Sequence, residues 1–412
     1  MRSQKIRLKL TKEQERLAWW YSKVSRNFWN LLVDIDKQNN KGEFDEILSK
    51  NGNKTYHSNF YDRDIYCLNS SDYLNLAKIV VAENYEKDAD NWSWYYQPNQ
   101  FFIYSFLSRE LVKIRRQNKG RLNFRSVNKS QPNFSVRCDT FPSKKRLSRI
   151  YLKENGKLQI PTLGEVKYGS VRTDSDLSGK KQVAKVSFDG KYWYLSYTED
   201  VDTEVADLPD YTDGVGIDLG IKTLATMSDG TSVPNIKTFR RVRILEKRLK
   251  RLQRKVSRKY LINKCNKHNK TKNIIKLERQ IKLIHRSLRN IRINHIRKFV
   301  SQLVKKQPQY IAIEDLNVKG MMKNKHLAKD IMNCAFYTIR EQLIRKARER
   351  HIAVRLVDRF YPSSKICSHC GHYKKDLKLS QRVYRCSNCQ TTIDRDYNAS
   401  LNIARTDQYV LA

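Results

Sequence analysis

The chain has no uninterrupted apolar run approaching the roughly 18 residues that a helical membrane span requires, so no such span is expected. Its first ten residues, MRSQKIRLKL, are basic but hold no apolar core of the kind a secretory signal carries. The absence of a signal, together with cysteine pairs at metal-binding spacing, points to a reducing cytoplasm rather than a disulfide scaffold. The eight histidines form no His-Glu-x-x-His pattern, which gives no support to zinc-peptidase chemistry. Acidic residues are scarce: 42 Asp and Glu stand against 82 Lys and Arg, a net charge of +40.

A surplus that large favours a polyanion as partner, because each phosphate contact releases counterions. A merely soluble basic protein would spread its charge evenly, and this one does not. Residues 240–306 hold 25 Lys and Arg against 2 Asp and Glu, residues 109–157 hold 15 against 3, and residues 34–90 reverse the balance with 7 against 12. The two basic segments are expected to form faces for nucleic acid.

What is present in compact form is a cysteine framework. Cys367 and Cys370, then Cys386 and Cys389, give the spacing C-x2-C-x15-C-x2-C. That suits one tetrahedral zinc held by four thiolates in a ribbon, with a short hairpin between the pairs. A four-cysteine site is coordinatively closed, so the zinc would be structural and the chemistry would lie elsewhere. His369 and His372 lie in the same stretch as an alternative ligand pair, but two matched cysteine pairs already complete a tetrahedron. Cys67, Cys138, Cys265 and Cys334 lack such spacing and read as ordinary thiols.

With 412 residues and 39% hydrophobic content the chain can build two or three domains. Ile6, Leu8 and Leu10 alternate as in a strand. Thr11 to Gln14 reads as a capping box. The helix it opens carries Leu17, Tyr21, Val24, Phe28, Leu31 and Ile35 on one face, widened by Trp19, Trp20 and Trp29. Residues 38–75 read as loops and short helices, and residues 76–117 as helical. The aromatic stretch 91–106 can stack on bases, although core packing is the commoner fate of such residues. Short alternating runs near 133–136, 149–152, 157–160, 183–188 and 193–197 read as a small β-domain that the strand at 4–10 can join. Residues 199–213 read as an acidic linker. Beyond it the order of elements is two strands, two long basic helices, a strand at 310–316, a helix at 333–350, a strand at 353–357, the ribbon, and a short helix at 399–404 opened by Asp396. This is a mixed α/β domain.

Three carboxylates stand at telling places there: Asp218 in the first apolar strand, Glu314 at the end of a later one, and Asp396 at the last helix. A carboxylate within an apolar strand is costly unless it is paired or bound to a metal. Any one alone could serve a cap or a turn; the three together point to metal binding. Two Mg2+ ions about 3.5–4 Å apart need such converging oxygens and can hydrolyse a phosphodiester with no histidine or cysteine nucleophile. Asp315 points to the opposite face from Glu314 if the strand continues, and Asp394 could be a helix N-cap instead of a ligand.

At these residues the chain resembles the transposon-encoded TnpB family, relatives of the miniature CRISPR type V effectors. The motifs that carry the resemblance are Gly216-Ile217-Asp218-Leu219-Gly220, Ile313-Glu314-Asp315-Leu316, Asp394-Arg395-Asp396-Tyr397-Asn398-Ala399, and Tyr361-Pro362-Ser363-Ser364 leading into the ribbon. The resemblance runs from about residue 210 to 405. It implies an RNase H-like (RuvC) nuclease core at 209–364 and 391–412, with the four-cysteine zinc ribbon inserted at 365–390. It also implies a wedge-type β-barrel at 1–10 and 122–208, carrying a helical recognition insertion at 11–121. Asp218, Glu314 and Asp396 would be the catalytic, magnesium-binding triad. The implied partners are a noncoding guide RNA and double-stranded target DNA, with the protein a monomer in the ribonucleoprotein. Ser400 stands where the motif usually has alanine, the acidic stretch at 34–90 has no counterpart in the family pattern, and little chain follows Ala404.

The expected activity is RNA-guided DNA cleavage, in which base pairing reads sequence and protein reads a short flanking motif and the heteroduplex shape. Three other readings stand beside it: a nuclease-inactive RNA-guided repressor, a class whose members lose one or more of the three carboxylates present here; a miniature CRISPR effector, which can share every motif quoted; and a zinc-ribbon protein acting in transposition without a guide.

Overall fold

Thr11 opens the first helix with a reciprocal cap. Its Oγ1 accepts from the Gln14 N–H at 3.2 Å, and its own N–H donates to Gln14 Oε1 at 3.1 Å. Helix α1 (Lys12–Lys41) runs from there to Gly42, whose φ of 88° supplies the left-handed stop. Tyr21, Val24, Phe28, Leu31, Leu32 and Ile35 are buried along its inner face, each large side chain contributing about 1.5–3 kcal/mol. Leu17 and Trp19, expected on that face, are instead 39% and 41% exposed. Trp19 sits at the rim, its ring 4.9 Å from Phe188 and 5.2 Å from Trp193.

The computed structural model describes the chain apart from residues 1, 59–62, 97–100, 118–121, 127–129, 137–149, 154, 170–180, 200–212, 265–269 and 379. The expected acidic linker, Cys138, Cys265 and the turn between the two basic helices therefore fall wholly or largely outside the described residues. The chain divides into two compact units, Met1–Glu204 and Val205–Ala412.

In the first unit, strands β1 (Arg2–Lys9), β4 (Asn133–Val136), β5 (Tyr151–Leu152), β6 (Leu158–Ile160), β7 (Gly164–Tyr168), β8 (Lys181–Phe188) and β9 (Trp193–Glu199) form one antiparallel sheet, ordered β4-β8-β9-β1-β7-β6-β5. Ile6 lies opposite Leu195, and both are buried. Helices α2 (Asp45–Lys50), α3 (Ser70–Lys87), α4 (Ala89–Trp92) and α5 (Phe101–Gln117) belong to the same unit. Residues 38–75 differ from expectation. The first helix continues to Lys41, and β2 (Thr55–Ser58) pairs with β3 (Arg63–Tyr66) as a hairpin. Asn39, fully buried, ties the two together by donating its side-chain amide to the Tyr66 carbonyl at 3.0 Å. Trp92, Trp94, Tyr95 and Phe106 pack against the core, so the aromatic stretch is largely structural.

The second unit holds a six-stranded sheet, ordered β12-β11-β10-β13-β14-β17. Its strands are β10 (Val215–Asp218), β11 (Thr223–Met227), β12 (Ser232–Pro234), β13 (Tyr310–Glu314), β14 (Ala353–Val357) and β17 (Tyr409–Leu411). The central three are parallel. Parallel neighbours need crossovers, which here contain α6 (Arg240–Lys264) with α7 (Lys272–Lys305), and then α8 (Val318–Met321), α9 (Ala328–Cys334) and α10 (Phe336–Arg348). The helix expected at 333–350 is broken at Ala335, whose φ is 53°. Ile311 and Ile313 point into one core with Phe299, Val300 and Ile339. Ala312 and Val357 point the other way, onto Ile403 of α11 (Arg395–Arg405). The sheet is thus covered on both faces, as its parallel centre demands. The last helix begins at Arg395, four residues before the expected start, and β12 and β17 are strands that the sequence pattern did not reveal.

Between β14 and α11 stands the cysteine-bearing loop. Its hairpin, β15 (Val383–Arg385) with β16 (Thr392–Asp394), brackets the second cysteine pair rather than lying between the two pairs, and it runs on to Asp394. Cys367 N–H donates to the His372 carbonyl at 2.9 Å, so the first pair sits in its own tight turn.

Candidate active site

Ile217 pairs with Ile313 across the parallel strands β10 and β13. The next residues in register are Asp218 and Glu314, so both carboxylates leave neighbouring strand ends on the same face. That is the face covered by α11. Gly216 lets the helix approach: an added Cβ there would lie 2.2 Å from the Ser400 carbonyl oxygen and 2.4 Å from the Ala404 nitrogen. Asp396 is one turn before Ser400, roughly 6 Å along the helix. Asp218 is two residues beyond Gly216, roughly 6.6 Å along the strand. The equal offsets bring Asp396 to Asp218. The far end is tied by Tyr310, whose hydroxyl donates to the Ala404 carbonyl at 2.8 Å.

Electrostatics record this convergence. Burial pushes the Asp218 carboxyl up to about 8, helped by the negative charges of Glu314 and Asp396 and opposed by Arg395. Burial raises Glu314 as well, against a hydrogen bond from Ser363. Ser363 Oγ donates to Glu314 Oε1 at 2.8 Å. Asp396 is held by Arg395, with Nη2 at 3.0 Å and Nε at 3.2 Å, and more distantly by Arg382 at 3.7 Å. Asp218 has no hydrogen-bond or ion-pair partner among the described residues.

The two uncertain carboxylates have other work. Asp394 caps α11, accepting from the N–H groups of Asp396 at 2.9 Å and Tyr397 at 3.0 Å. Asp315 is ion-paired with Arg340 and, at 2.6 Å, with Arg359. Asp315 is thus engaged through both oxygens, whereas Asp394 caps through Oδ1 alone, and its charge is the smallest of the three that raise Asp218.

The structure also assigns contacts to residues whose chemistry the sequence left open. Asn402 donates to the carbonyls of Ser363 and Ile366, both at 2.7 Å. Asn398 donates to Ile366 at 2.7 Å and accepts from the Ser368 N–H at 2.9 Å. Arg405 donates to the Ser368 carbonyl at 2.7 Å. The helix bearing Asp396 is therefore strapped to the loop bearing Ser363 and Cys367. The only hint in the sequence was that Ser363, Asn398 and the carboxylates share short motifs.

The four cysteines form a second site. Their sulfurs lie within 4.8 Å of one another, with Cys367 to Cys389 at 3.7 Å and Cys370 to Cys386 at 3.5 Å. A tetrahedron with metal–sulfur bonds of about 2.3 Å has edges of about 3.8 Å, so the set fits a zinc-sized ion. His372 Nε2 is engaged with Ser387 Oγ at 3.0 Å and stands apart from the cluster. Among the described residues this is the only set of three or more His, Cys, Asp or Glu gathered in this way. A buried, unpartnered Asp218 beside Glu314 and Asp396 is the donor set a hard divalent cation would satisfy.

Of the two acidic residues in the basic segment 240–306, Glu278 is engaged by Tyr260 and Lys270, and Glu246 pairs with Lys329 at 3.6 Å. Two acids against 25 cations leave most of the positive charge of this segment unanswered within it.

Comparison with known proteins follows the same geography. A family model described as "Probable transposase" (OrfB_IS605) matches residues 196–325, which include Asp218 and Glu314. One described as "Cas12f1-like, TNB domain" matches residues 336–403, which include the four cysteines and Asp396. A protein of Escherichia coli (strain K12) named as an RNA-guided DNA endonuclease, InsQ, is 31% identical over 63% of this chain and 64% of its own length. One of Streptomyces pristinaespiralis, named as an RNA-guided DNA endonuclease, is 34% identical over 51% of this chain and 49% of its own. The CRISPR-associated endodeoxyribonuclease Cas12f1 of Sulfoacidibacillus thermotolerans is 28% identical over 57% and 56%. The chain thus spans between about half and 64% of the length of these relatives. A solved Cas12f1–sgRNA–target DNA complex matches over 99% of both chains with a TM-score of 0.49 and 14% identity, a likeness too low to argue from. The resemblance to the TnpB family is borne out by the family and sequence matches.

Proposed function

We propose that this chain, similar over most of its second unit to TnpB-like proteins, is an RNA-guided DNA endonuclease. The observation that carries the proposal is the meeting of Asp218, Glu314 and Asp396 on one face of a parallel sheet, from strand ends and a helix start far apart in sequence. In this reading Asp218, Glu314 and Asp396 hold two Mg2+ ions, which supply an activated water and charge stabilisation at the phosphodiester. Asp218 is ready for them because no internal cation occupies it. Ser363 fixes the rotamer of Glu314. Arg395 orients Asp396 through Oδ1 alone, so that Oδ2 is the oxygen that would face an ion.

Cys367, Cys370, Cys386 and Cys389 hold one structural zinc, which closes the loop that α11 is strapped to. The basic faces of α6 and α7 follow the backbones of guide RNA and target DNA, where cations add affinity without reading sequence. Residues 1–10 and 122–208 serve as the wedge domain, 11–121 as the recognition domain, 209–364 and 391–412 as the RuvC-like nuclease domain, and 365–390 as the core of the ribbon, in a monomeric ribonucleoprotein.

The deciding experiment is cleavage of target plasmid by the protein co-purified with its RNA, in Mg2+. Asp218→Ala should abolish cutting and leave RNA-dependent DNA binding intact; cutting that survives the substitution removes the assignment. An intact chain that binds but never cuts would favour the repressor reading. Sequencing the bound RNA distinguishes a transposon-end guide from a CRISPR repeat, and a chain with no discrete RNA would be a transposition factor without a guide.

A further inference from the structure

The first unit contains a charged cleft that the nuclease chemistry does not use. Ser22, Ser25 and Arg26 stand at i, i+3 and i+4 on α1 and so share one face. Facing them are Arg125 and the segment 130–133, and together they line a small, solvent-open cleft. Ser22 and Ser25 are 5% and 2% exposed. Among the described residues, neither hydroxyl has a hydrogen-bond partner, and the Arg26 guanidinium has neither a hydrogen-bond nor an ion-pair partner.

The local charge does not balance. No carboxylate answers Arg26, whose only perturbation is burial, which lowers its pKa. Arg125 reaches Glu110 at 3.4 Å. Lys185, on the strand paired with β4, is drawn to the same Glu110 and repelled by Arg125, and burial lowers it too. Arg125 and Lys185 share one acid and Arg26 has none, in a setting partly removed from water, which is costly unless an anion enters.

The cleft is also prebuilt. The Arg125 guanidinium lies 3.7 Å from the centre of the Trp29 ring. Its backbone N–H donates to Asn30 Oδ1 at 2.7 Å, and Trp29 Nε1 donates to the Asn123 carbonyl at 3.0 Å. The amides that could compete as donors are used internally: Gln131 on the Phe188 carbonyl and Asn133 on the Gln131 carbonyl, both at 2.7 Å. What remains open is the two hydroxyls and the Arg26 guanidinium, with the Arg125 guanidinium beside them shared with Glu110. Such a set matches a tetrahedral oxyanion, with the guanidiniums giving paired donors in a fixed fork.

We propose that this cleft is a phosphate-binding subsite that grips one backbone phosphate of a nucleic-acid strand. The choice of nucleic acid as the source of that phosphate rests on the function proposed above; the site itself rests on the cleft alone. The anchor is Arg26, with Ser22 and Ser25 bonding the same group and Arg125 closing the opposite wall.

The test uses the full-length chain with a labelled single-stranded RNA and, separately, a single-stranded DNA of equal length, titrated across a range of salt. One phosphate contact on a single strand accounts for a slope of about 0.7 in log K against log salt. Arg26→Gln should reduce the slope by about that amount on whichever strand occupies the cleft, and weaken binding about tenfold. Ser25→Val, which obstructs the cleft and removes no charge, should weaken binding and lower the slope in the same direction, because the phosphate contact is lost. Because Arg26 has no internal partner, the thermal midpoint of Arg26→Gln in phosphate-free buffer should match that of the parent. Parent-like slope and affinity for both variants on both strands would overturn the subsite. A parent chain that carries no discrete RNA and cuts no DNA would overturn the functional reading instead, and the two results are read in separate experiments.

Discussion

Gly216 and Ser400 meet so closely that a single added carbon would separate them: a Cβ on Gly216 would lie 2.2 Å from the Ser400 carbonyl oxygen. Backbone on backbone leaves nothing flexible to move aside. Gly216→Ala should push α11 off the sheet and carry Asp396 away from Asp218. Overpacking of this kind costs about 1–3 kcal/mol of stability, and a misplacement of about 1 Å at a reacting centre costs about 10²-fold in rate. The expected outcome is a folded protein with a lowered thermal midpoint, near-normal nucleic-acid affinity and cleavage down about a hundredfold in single-turnover assays. Gly230→Ala is the contrast. Nothing lies within 4 Å of its Cβ position, so it meets only the strain of its φ of 82°, and cleavage should be retained.

Ser363 tests the same site from the other side. Its hydroxyl is the only described hydrogen-bond donor to the Glu314 carboxylate, and partners of that kind change metal affinity by about 10–100-fold when lost. Ser363→Ala should raise the Mg2+ concentration needed for half-maximal cleavage by that range while leaving the rate at saturating Mg2+ nearly intact. Ser363→Thr, which keeps the hydroxyl, should restore the parent titration. An unchanged Mg2+ titration for Ser363→Ala would remove the positioning role.

What the sequence made legible, and what it did not, follows physical range. A carboxylate in an apolar strand and two matched Cys-x-x-Cys pairs are local patterns, and Asp218, Glu314 and the four cysteines could be singled out from them. The capping box at Thr11 is local in the same way. The strap formed by Asn398 and Asn402 is not, because its partners are backbone carbonyls some 30 to 40 positions away, and any asparagine in a helix looks alike before the fold is known. The three-residue strands β12 and β17 carry too few alternations to register. Ala335 gave no warning of the break between α9 and α10, since alanine is a strong helix former and the left-handed conformation there is imposed by the surrounding fold.

Zinc removal probes that strap. The carbonyls of Ile366 and Ser368, on either side of Cys367, hold Asn398, Asn402 and Arg405 of the helix that carries Asp396. Cys386→Ser should reduce bound zinc, measured by atomic emission, from one ion per chain to a small fraction. Cleavage should fall with it even though the substituted residue is none of the three carboxylates. Stripping zinc from the parent with a chelator and then adding Mg2+ in excess should fail to restore cutting, whereas returning zinc should succeed. Full activity in a zinc-free protein would show that the ribbon does not position Asp396.

The final prediction concerns protons. In the metal-free protein Asp218 is pushed up to about 8, chiefly by burial and then by the neighbouring carboxylates. Only the ionised carboxylate can take a cation, so each ion bound below that pH must displace a proton. The sign follows: affinity for a divalent cation should rise with pH, by close to tenfold per unit between about 6 and 8, and level off above it as Asp218 is already ionised. Calorimetry of Mg2+ binding in two buffers of different ionisation enthalpy should show release of nearly one proton at pH 7. Asp218→Asn should remove both the release and the slope while leaving the four-cysteine site loaded. The same argument bears on stability. A raised carboxyl pKa favours the folded state below the unfolded value of about 3.9, and that contribution is lost as pH rises through 8. Metal-free protein should therefore soften toward alkaline pH, and Mg2+ should restore its thermal midpoint most strongly there, where the cation has no proton to displace.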